Sequence, residues 1–234
     1  MTPLPDSPRK YATPEQLTVL APAFYPQTQD PSPVRYLVQS AARCRIPLRL
    51  YGQGKPYHDW MQVQVHELLR ELESLTTPYV MYVDGSDSVF AADITSILME
   101  YTLLGFPPLL FSVEPDGLNA GGWMGRTQAA ITALEMIASL HIAGRMGVFE
   151  SNPQTRWRWA VRNKLVAVTP DLHRNIFYVM NNGPLNFTDE GEPETLSGAM
   201  PCVLHFAGGY TDPKSGKEDQ IEPVWEKLWC GGRK

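Results

Sequence analysis

Cysteine is scarce in this chain, and its scarcity limits both the scaffold and the cellular compartment. Only three cysteines, Cys44, Cys202 and Cys230, occur in 234 residues, and they lie far apart. A disulfide framework or a zinc cluster needs cysteines in pairs or at short, regular spacings, so neither is predicted. A reducing compartment is expected.

Long apolar runs are missing as well. No stretch approaches the roughly 20 consecutive apolar residues of a membrane helix. The segment 1–15 is polar and rich in proline, without the apolar core of a secretory signal. We therefore expect no membrane span and a location in the cytoplasm, either of a bacterium or of the host of a virus.

Basic residues are in deficit, with 20 Lys and Arg against 25 Asp and Glu and a formal net charge of -5. An acidic total disfavours a broad nucleic-acid surface, although one basic patch is compatible with it. The only concentrated basic segment spans residues 156–164. It fits either a solvated face of an amphipathic helix, which is the commoner arrangement, or a patch that contacts DNA.

Apolar periodicity predicts an α/β fold with a mixed, mainly parallel central sheet flanked by helices. Its first half reads β-α-β-α-β, the pattern of a parallel sheet with right-handed crossovers. We predict one domain over residues 16–210, between a flexible segment 1–15 and a tail 211–234 with a short helix. The predicted strands are 16–21, 47–51, 79–84, 109–112, 165–168, 176–179 and 202–205. The predicted helices are 33–45, 58–75, 91–104 and 127–143, with a glycine-rich turn at 119–125 and a flexible loop at 181–198.

Two carboxylates follow the third strand directly. Asp84 and Asp87 stand where the buried-looking run 79–83 stops, with Gly85 and Ser86 between them. Ligands gather at the carboxyl ends of parallel strands, and hard oxygen ligands suit Mg²⁺ or Mn²⁺. The alternative is an ordinary strand-to-helix loop in which Asp87 or Ser88 caps a helix that begins near residue 91.

Three separated segments form an ordered set: residues 84–90 (DGSDSVF), 118–125 (LNAGGWMG) and 204–208 (LHFAG). This order resembles the GT-A glycosyltransferases. It is more closely similar to the glycosyltransferase domain of procollagen lysyl hydroxylases and its stand-alone microbial and viral relatives, which carry D-S-Y-D-V-I-F, N-S-G-G and H-G-N-G at these places. The likeness extends from about residue 16 to residue 209.

The resemblance implies a GT-A domain that transfers a hexose from a nucleotide sugar, with UDP-glucose or UDP-galactose as the expected donor. It implies that Asp84, Asp87 and His205 bind Mn²⁺, with Mg²⁺ as the alternative, to neutralise the departing diphosphate. A lone His at a strand end is more often structural, but the small residues after His205 favour a ligand role. For Trp123, core packing is the expected role. The residues expected beside the donor are Ser86, Asn119, Gly121, Gly122 and Gly208.

The acceptor side departs from the family pattern. Where the family has D-D-Q before the helix that faces the acceptor, this chain has Asn152, Pro153 and Gln154. Either another carboxylate, Glu150 or Asp116, acts together with Gln154, or the reaction needs no strong base, or activity is lost. The last option is the alternative function, a catalytically impaired protein that binds nucleotide sugars.

Two further alternatives concern the class of reaction and the acceptor. A haloacid-dehalogenase-like phosphatase also ends a strand in aspartates, but its second aspartate would fall at Ser86, so this class is disfavoured. The acceptor hydroxyl is left open among a glycan or glycolipid, a hydroxylated protein side chain and a hydroxymethylated DNA base.

Overall fold

The computed structural model describes residues 12–25, 32–140, 152–188, 191–207 and 217–229. Two predicted site residues, Glu150 and Gly208, lie outside these ranges, as does most of the predicted flexible segment 1–15. None of the helices in the described ranges combines the length and the apolar composition that crossing a lipid bilayer requires.

The main sheet has six strands in the order β2-β1-β3-β6-β5-β7. β1 pairs in parallel with β2 and β3, and β5 pairs in parallel with β7, whereas β6 is antiparallel to both β3 and β5. The predicted mixed, mainly parallel sheet is therefore confirmed. Its strands are β1 (Leu17–Pro22), β2 (Leu48–Tyr51), β3 (Tyr79–Val83), β5 (Leu109–Glu114), β6 (Gly117–Arg126) and β7 (Thr169–Pro170).

Helices cover both faces of this sheet because successive strand residues point to opposite sides. Met81 and Val83 of β3 join one core cluster, with residues of the first and third helices, while Val80 and Tyr82 join a second cluster on the other face. The helices are α1 (Arg35–Arg43), α2 (Leu68–Glu73), α3 (Ile94–Leu103), α4 (Thr127–Ser139), α5 (Pro153–Arg162) and α6 (Lys217–Trp229), with a π-helical stretch (Gln62–Glu67) leading into α2.

The chain also forms a second sheet, which has three strands. It has the order β4-β11-β8, formed by β4 (Ser88–Phe90), β8 (Phe177–Val179) and β11 (Val203–His205). In the predicted tail, α6 packs on this sheet through Ile221 and Leu228, which share a core cluster with Val89 and Leu204. The small sheet therefore ties the C-terminal helix to the rest of the chain.

Several predicted elements differ from the structure. The predicted turn 119–125 is the middle of strand β6, because its glycines allow neighbouring groups to approach the backbone closely. The short strand predicted at 165–168 is found at Thr169–Pro170. The loop 181–198, predicted to be flexible, contains an antiparallel pair, β9 (Asn186–Phe187) and β10 (Pro193–Glu194). Strands of two residues are too short to show a periodic pattern.

The helix-cap alternative for Asp87 and Ser88 is wrong. Residues 88–90 form β4, so the chain continues from the aspartates into a strand. The next helix, α3, is capped by Asp93, whose Oδ1 accepts a hydrogen bond from the Ser96 amide at 2.8 Å. Neither Asp87 nor Ser88 is therefore needed to begin a helix.

Candidate functional site

Backbone pairing brings Asp84, Asp87 and His205 together. Asp84 follows β3, and its amide donates a hydrogen bond to the Gly121 carbonyl of β6 at 2.9 Å. Asp87 precedes β4, and His205 ends β11, which pairs with β4 so that His205 lies opposite Ser88. The Phe206 amide then donates to the Asp87 carbonyl at 2.8 Å. Asp84 from the end of the main sheet therefore lies beside Asp87 and His205 from the small sheet.

The three side chains have the geometry of a metal site. His205 Nε2 lies 3.5 Å from Asp84 Oδ2 and 3.5 Å from Asp87 Oδ1. One ligand atom from each residue lies within 4.8 Å of the others. Two carboxylates and an imidazole at this spacing fit a divalent cation.

Burial raises the free-energy cost of holding unpaired charges in this cluster. The side chains of His205 and Asp87 are 4% and 5% exposed, and among the described residues neither ring nitrogen of His205 has a hydrogen-bond partner. Burial lowers the pKa of His205, but Asp87 and Asp84 raise it by more, to about 10. Because buried polar atoms are normally satisfied, the unsatisfied Nε2, which faces both carboxylates, fits a ligand that exchanges its proton for a bound cation.

Glycines of β6 make room for this cluster. A Cβ at position 121 would collide with the His205 ring and with Asp84 Oδ2. A Cβ at position 122 would press on the Phe177 ring at 2.9 Å. Gly121 therefore lines the site, while Gly122 allows β6 to pack against β8.

A polar pocket of about 300 Å³ opens beside the cluster. The predicted residues Asn119 and Gln154 line it, together with Gly121 and the three candidate metal ligands. Ser86 lies outside this pocket, and Asp116 is exposed in the turn between β5 and β6 and does not line it. The other lining residues are Trp60, Gln64, Glu114, Ala120, Asn152, Pro153, Asn181 and Ala207.

Glu114, at the end of β5, is a pocket carboxylate that the sequence analysis missed. Its Oε1 accepts hydrogen bonds from Gln154 Nε2 at 2.8 Å and from Arg158 Nη2 at 2.6 Å. Its Oε2 has longer contacts, 3.3 Å to Asn119 Nδ2 and 3.4 Å to Asn181 Nδ2. One oxygen of Glu114 is thus firmly held, while the other is more weakly engaged.

Residues 156–162 of the basic segment lie in α5, and the first two arginines bind groups within the protein. Arg158 pairs with Glu114 and also donates to the Leu118 carbonyl at 2.8 Å. Arg156 donates to the carbonyls of Ile137 and Leu140. These two guanidinium groups therefore support the fold and the pocket wall.

An apolar pocket of about 380 Å³ adjoins the polar one, and Trp60 and Asp84 line both. It opens where β1 ends, and Ser86 lies in its wall. Trp123, by contrast, is 2% exposed and stacks between Tyr82 and Phe111, so core packing is confirmed for it. The other residues that line the apolar pocket are Pro22, Ala23, Phe24, Tyr25, Pro33, Val34, Tyr57, Val63 and Gly85.

Two glycosyltransferases of known structure have a similar fold. A glycosyltransferase involved in the glycosylation of the major capsid of PBCV-1 aligns with a TM-score of 0.56 and 11% identity, over 88% of this chain and 98% of that one. The glycosyltransferase GlyE of Streptococcus pneumoniae TIGR4 aligns with a TM-score of 0.53 and 14% identity, over 92% of this chain and 60% of that one. At these identities the likeness concerns the fold.

Sequence comparisons give no further assignment. No protein-family model matches the chain, and no curated protein matches it either. The closer likeness to the glycosyltransferase domain of procollagen lysyl hydroxylases therefore stays a prediction, whereas a glycosyltransferase fold is supported by the solved structures.

Proposed function

We propose that this protein is a metal-dependent glycosyltransferase that moves a hexose from a UDP-sugar to an acceptor hydroxyl. The observation that carries the proposal is the position of the Asp84, Asp87 and His205 cluster, at the junction of an apolar pocket and a polar pocket. A nucleotide sugar has the same order of parts: a flat base, a charged diphosphate and a polar sugar.

The apolar pocket suits the nucleoside. Trp60 and Tyr57 stand at its wall as an edge-to-face pair with ring centroids 5.7 Å apart. Aromatic walls bind planar bases by stacking. The pocket also contains Gly85 and Ser86, which directly follow Asp84. A nucleoside bound there would leave its phosphates beside the carboxylates.

Asp84, Asp87 and His205 would hold a divalent cation, Mn²⁺ by preference and Mg²⁺ as the alternative. When bound, the cation supplies Lewis-acid stabilisation of the charge that develops on the departing diphosphate. The protein's own contribution is a buried, preformed set of ligands. Gly121 contributes by leaving space that any side chain would fill.

The polar pocket suits the transferred sugar. Asn119 and Gln154 have their amide groups oriented by hydrogen bonds to Glu114. We assign Glu114 to binding a sugar hydroxyl through Oε2, because Oε1 is already engaged by Arg158 and Gln154. The catalytic role predicted for Glu150 stays a prediction. For Asp116 we instead propose no direct role, because this carboxylate is exposed and does not line the polar pocket.

The acceptor remains within the classes named from the sequence. One of the structural neighbours is involved in the glycosylation of the major capsid of PBCV-1, which keeps a protein side chain among the candidates. A DNA base is disfavoured because the chain is acidic and two arginines of the basic segment are engaged internally. A cytoplasmic location likewise stays a prediction.

Release of UDP from UDP-glucose and UDP-galactose with Mn²⁺ tests the proposal, since many glycosyltransferases hydrolyse the donor slowly without an acceptor. We expect turnover by the native protein, loss with EDTA, and loss in Asp87→Ala and His205→Ala. Asp93→Ala is the matched control, because Asp93 is an exposed helix cap.

Two outcomes contradict the proposal. Full Mn²⁺-dependent turnover in both site variants would remove the metal centre from the reaction. Tight binding of a nucleotide sugar without turnover of any donor would instead favour the impaired binding protein, which the absence of acids at Asn152 and Pro153 suggests.

A further inference from the structure

The two oxygens of Asp84 have different surroundings. Oδ1 accepts hydrogen bonds from Gln64 Nε2 at 2.8 Å and from the Tyr82 hydroxyl at 2.7 Å. Oδ2 faces His205 Nε2 at 3.5 Å. The donors thus hold one oxygen, and the other is directed toward the candidate metal centre.

Gln64 reaches Asp84 from an unusual helical segment. It lies in the π-helical stretch Gln62–Glu67, where three consecutive residues are buried. Val63 lines the apolar pocket, Gln64 contacts Asp84, and Val65 packs in the core beside α2. π-Helical turns are rare and occur often at functional sites, because they redirect side chains that a regular α-helix would place elsewhere.

The segment is also anchored to the sheet. The Tyr51 hydroxyl, at the end of β2, donates to the Val63 carbonyl at 2.9 Å. Gln64 itself is only 9% exposed. A buried amide with a fixed backbone loses little conformational freedom when it donates, so the hydrogen bond to Asp84 orients the carboxylate effectively.

We propose that Gln64 is a positioning residue for the metal centre, which fixes Asp84 so that Oδ2 is directed at the cation. This inference rests on the proposed metal-dependent function. Outer-shell hydrogen bonds of this kind typically change metal affinity by about 10- to 100-fold. Gln64 would act through Asp84 and would not touch the cation.

Gln64→Met tests the role, because methionine has a similar length and fills the space without the N–H donor. Gln62→Met is the matched control, since Gln62 lies on the same stretch and donates to Glu67 instead. The measurement is the Kd for Mn²⁺ without nucleotide, from the free-ion electron paramagnetic resonance signal. Thermal unfolding in EDTA is recorded alongside, and Gln64→Ala provides a second variant.

We expect Gln64→Met to raise the Mn²⁺ Kd at least tenfold, with its unfolding temperature in EDTA close to that of the native protein, while Gln62→Met leaves the Kd unchanged. A native Kd in Gln64→Met overturns the positioning role and leaves the metal centre standing. Failure of the native protein to bind Mn²⁺ overturns the metal centre and the positioning role together.

Discussion

His205 and Asp84 meet from two different sheets, with His205 Nε2 3.5 Å from Asp84 Oδ2. Asp84 follows β3 of the main sheet, and His205 ends β11 of the small one. Their relative position is therefore set by the segment 84–87, which joins β3 to β4, and by the pairing of β4 with β11. Changes that disturb this junction should affect metal binding more than they affect the fold.

Gly121→Ala should weaken Mn²⁺ binding and also lower the free energy of unfolding. The added Cβ would collide with the His205 ring and Asp84 Oδ2, so we expect the Mn²⁺ Kd to rise at least tenfold. Overpacking of this kind costs about 1–3 kcal/mol of unfolding free energy. Calorimetric titration with Mn²⁺ and denaturant unfolding measure the two quantities.

Gly125→Ala is the control for that change. Gly125 lies near the C-terminal end of the same strand, and its added Cβ would collide with the Pro108 carbonyl, away from the metal ligands. We expect it to destabilise the protein while leaving the Mn²⁺ Kd near the native value. Equal losses of metal affinity in both variants would mean that general damage to β6 is responsible.

Mn²⁺ affinity should rise with pH. Burial lowers the pKa of His205, but Asp87 and Asp84 raise it by more, so that the net pKa is about 10. Below that pH the ring carries a proton that a cation must displace, because a histidine ligand binds metal in its neutral form. The apparent Kd should therefore fall by up to about tenfold per pH unit between pH 6 and 8.

The variant His205→Asn should lose most of this pH dependence, and His66→Asn should keep it because His66 is exposed on the π-helical stretch. Titrations with Mn²⁺ at several pH values check both. A flat profile in the native protein would show that His205 gives up no proton to the metal.

Glu114→Gln should impair donor turnover while leaving Mn²⁺ binding intact. The change keeps the shape of the side chain but removes its negative charge and replaces one carboxylate oxygen with an NH2 group, which cannot accept a hydrogen bond from a sugar hydroxyl or from Arg158. A lost hydrogen bond to a charged group costs about 1.5–3 kcal/mol, so we expect kcat/KM for UDP release to fall by about 10- to 150-fold.

Asp116→Asn is the natural comparison, because Asp116 is exposed in the turn two residues later and does not line the polar pocket. We expect native kinetics from it. The reverse pattern, a loss in Asp116→Asn with native kinetics in Glu114→Gln, would contradict the role given to Glu114 and support the original prediction for Asp116.

Asp171→Ala should destabilise the small sheet. Asp171 is 1% exposed, and its Oδ2 accepts from the amides of Ile176 and Phe177 at 3.0 and 2.9 Å. Losing this acceptor leaves buried N–H groups unsatisfied, so the unfolding free energy should fall by about 3 kcal/mol. Chemical denaturation measures it, and Leu172→Ala, at a 70% exposed position, should change it by less than about 0.5 kcal/mol.

The sequence allowed Asp84 and Asp87 to be singled out because they follow an apolar strand, and ligands gather at such strand ends. The same rule applies to Glu114 at the end of β5, but its significance depends on the partners that α5 supplies. Arg158 and Gln154 come from a distant helix, and no local pattern reports that contact.

Glycine explains the main error in the predicted fold. Residues 119–125 indicated a turn because glycine weakens strands. In the structure, Gly121 and Gly125 lie in β6 where a Cβ would meet atoms of neighbouring segments. Such close approach is a tertiary property, so the sequence could predict that glycine matters there without predicting the strand.

The most direct test is a crystal structure with Mn²⁺ and UDP, in which anomalous scattering locates the metal. We predict one Mn²⁺ coordinated by Asp84, Asp87 and His205, in contact with the UDP diphosphate, with the uracil ring in the apolar pocket beside Trp60. A Mn²⁺ peak away from these three side chains, or a diphosphate that does not reach them, would contradict the proposed function.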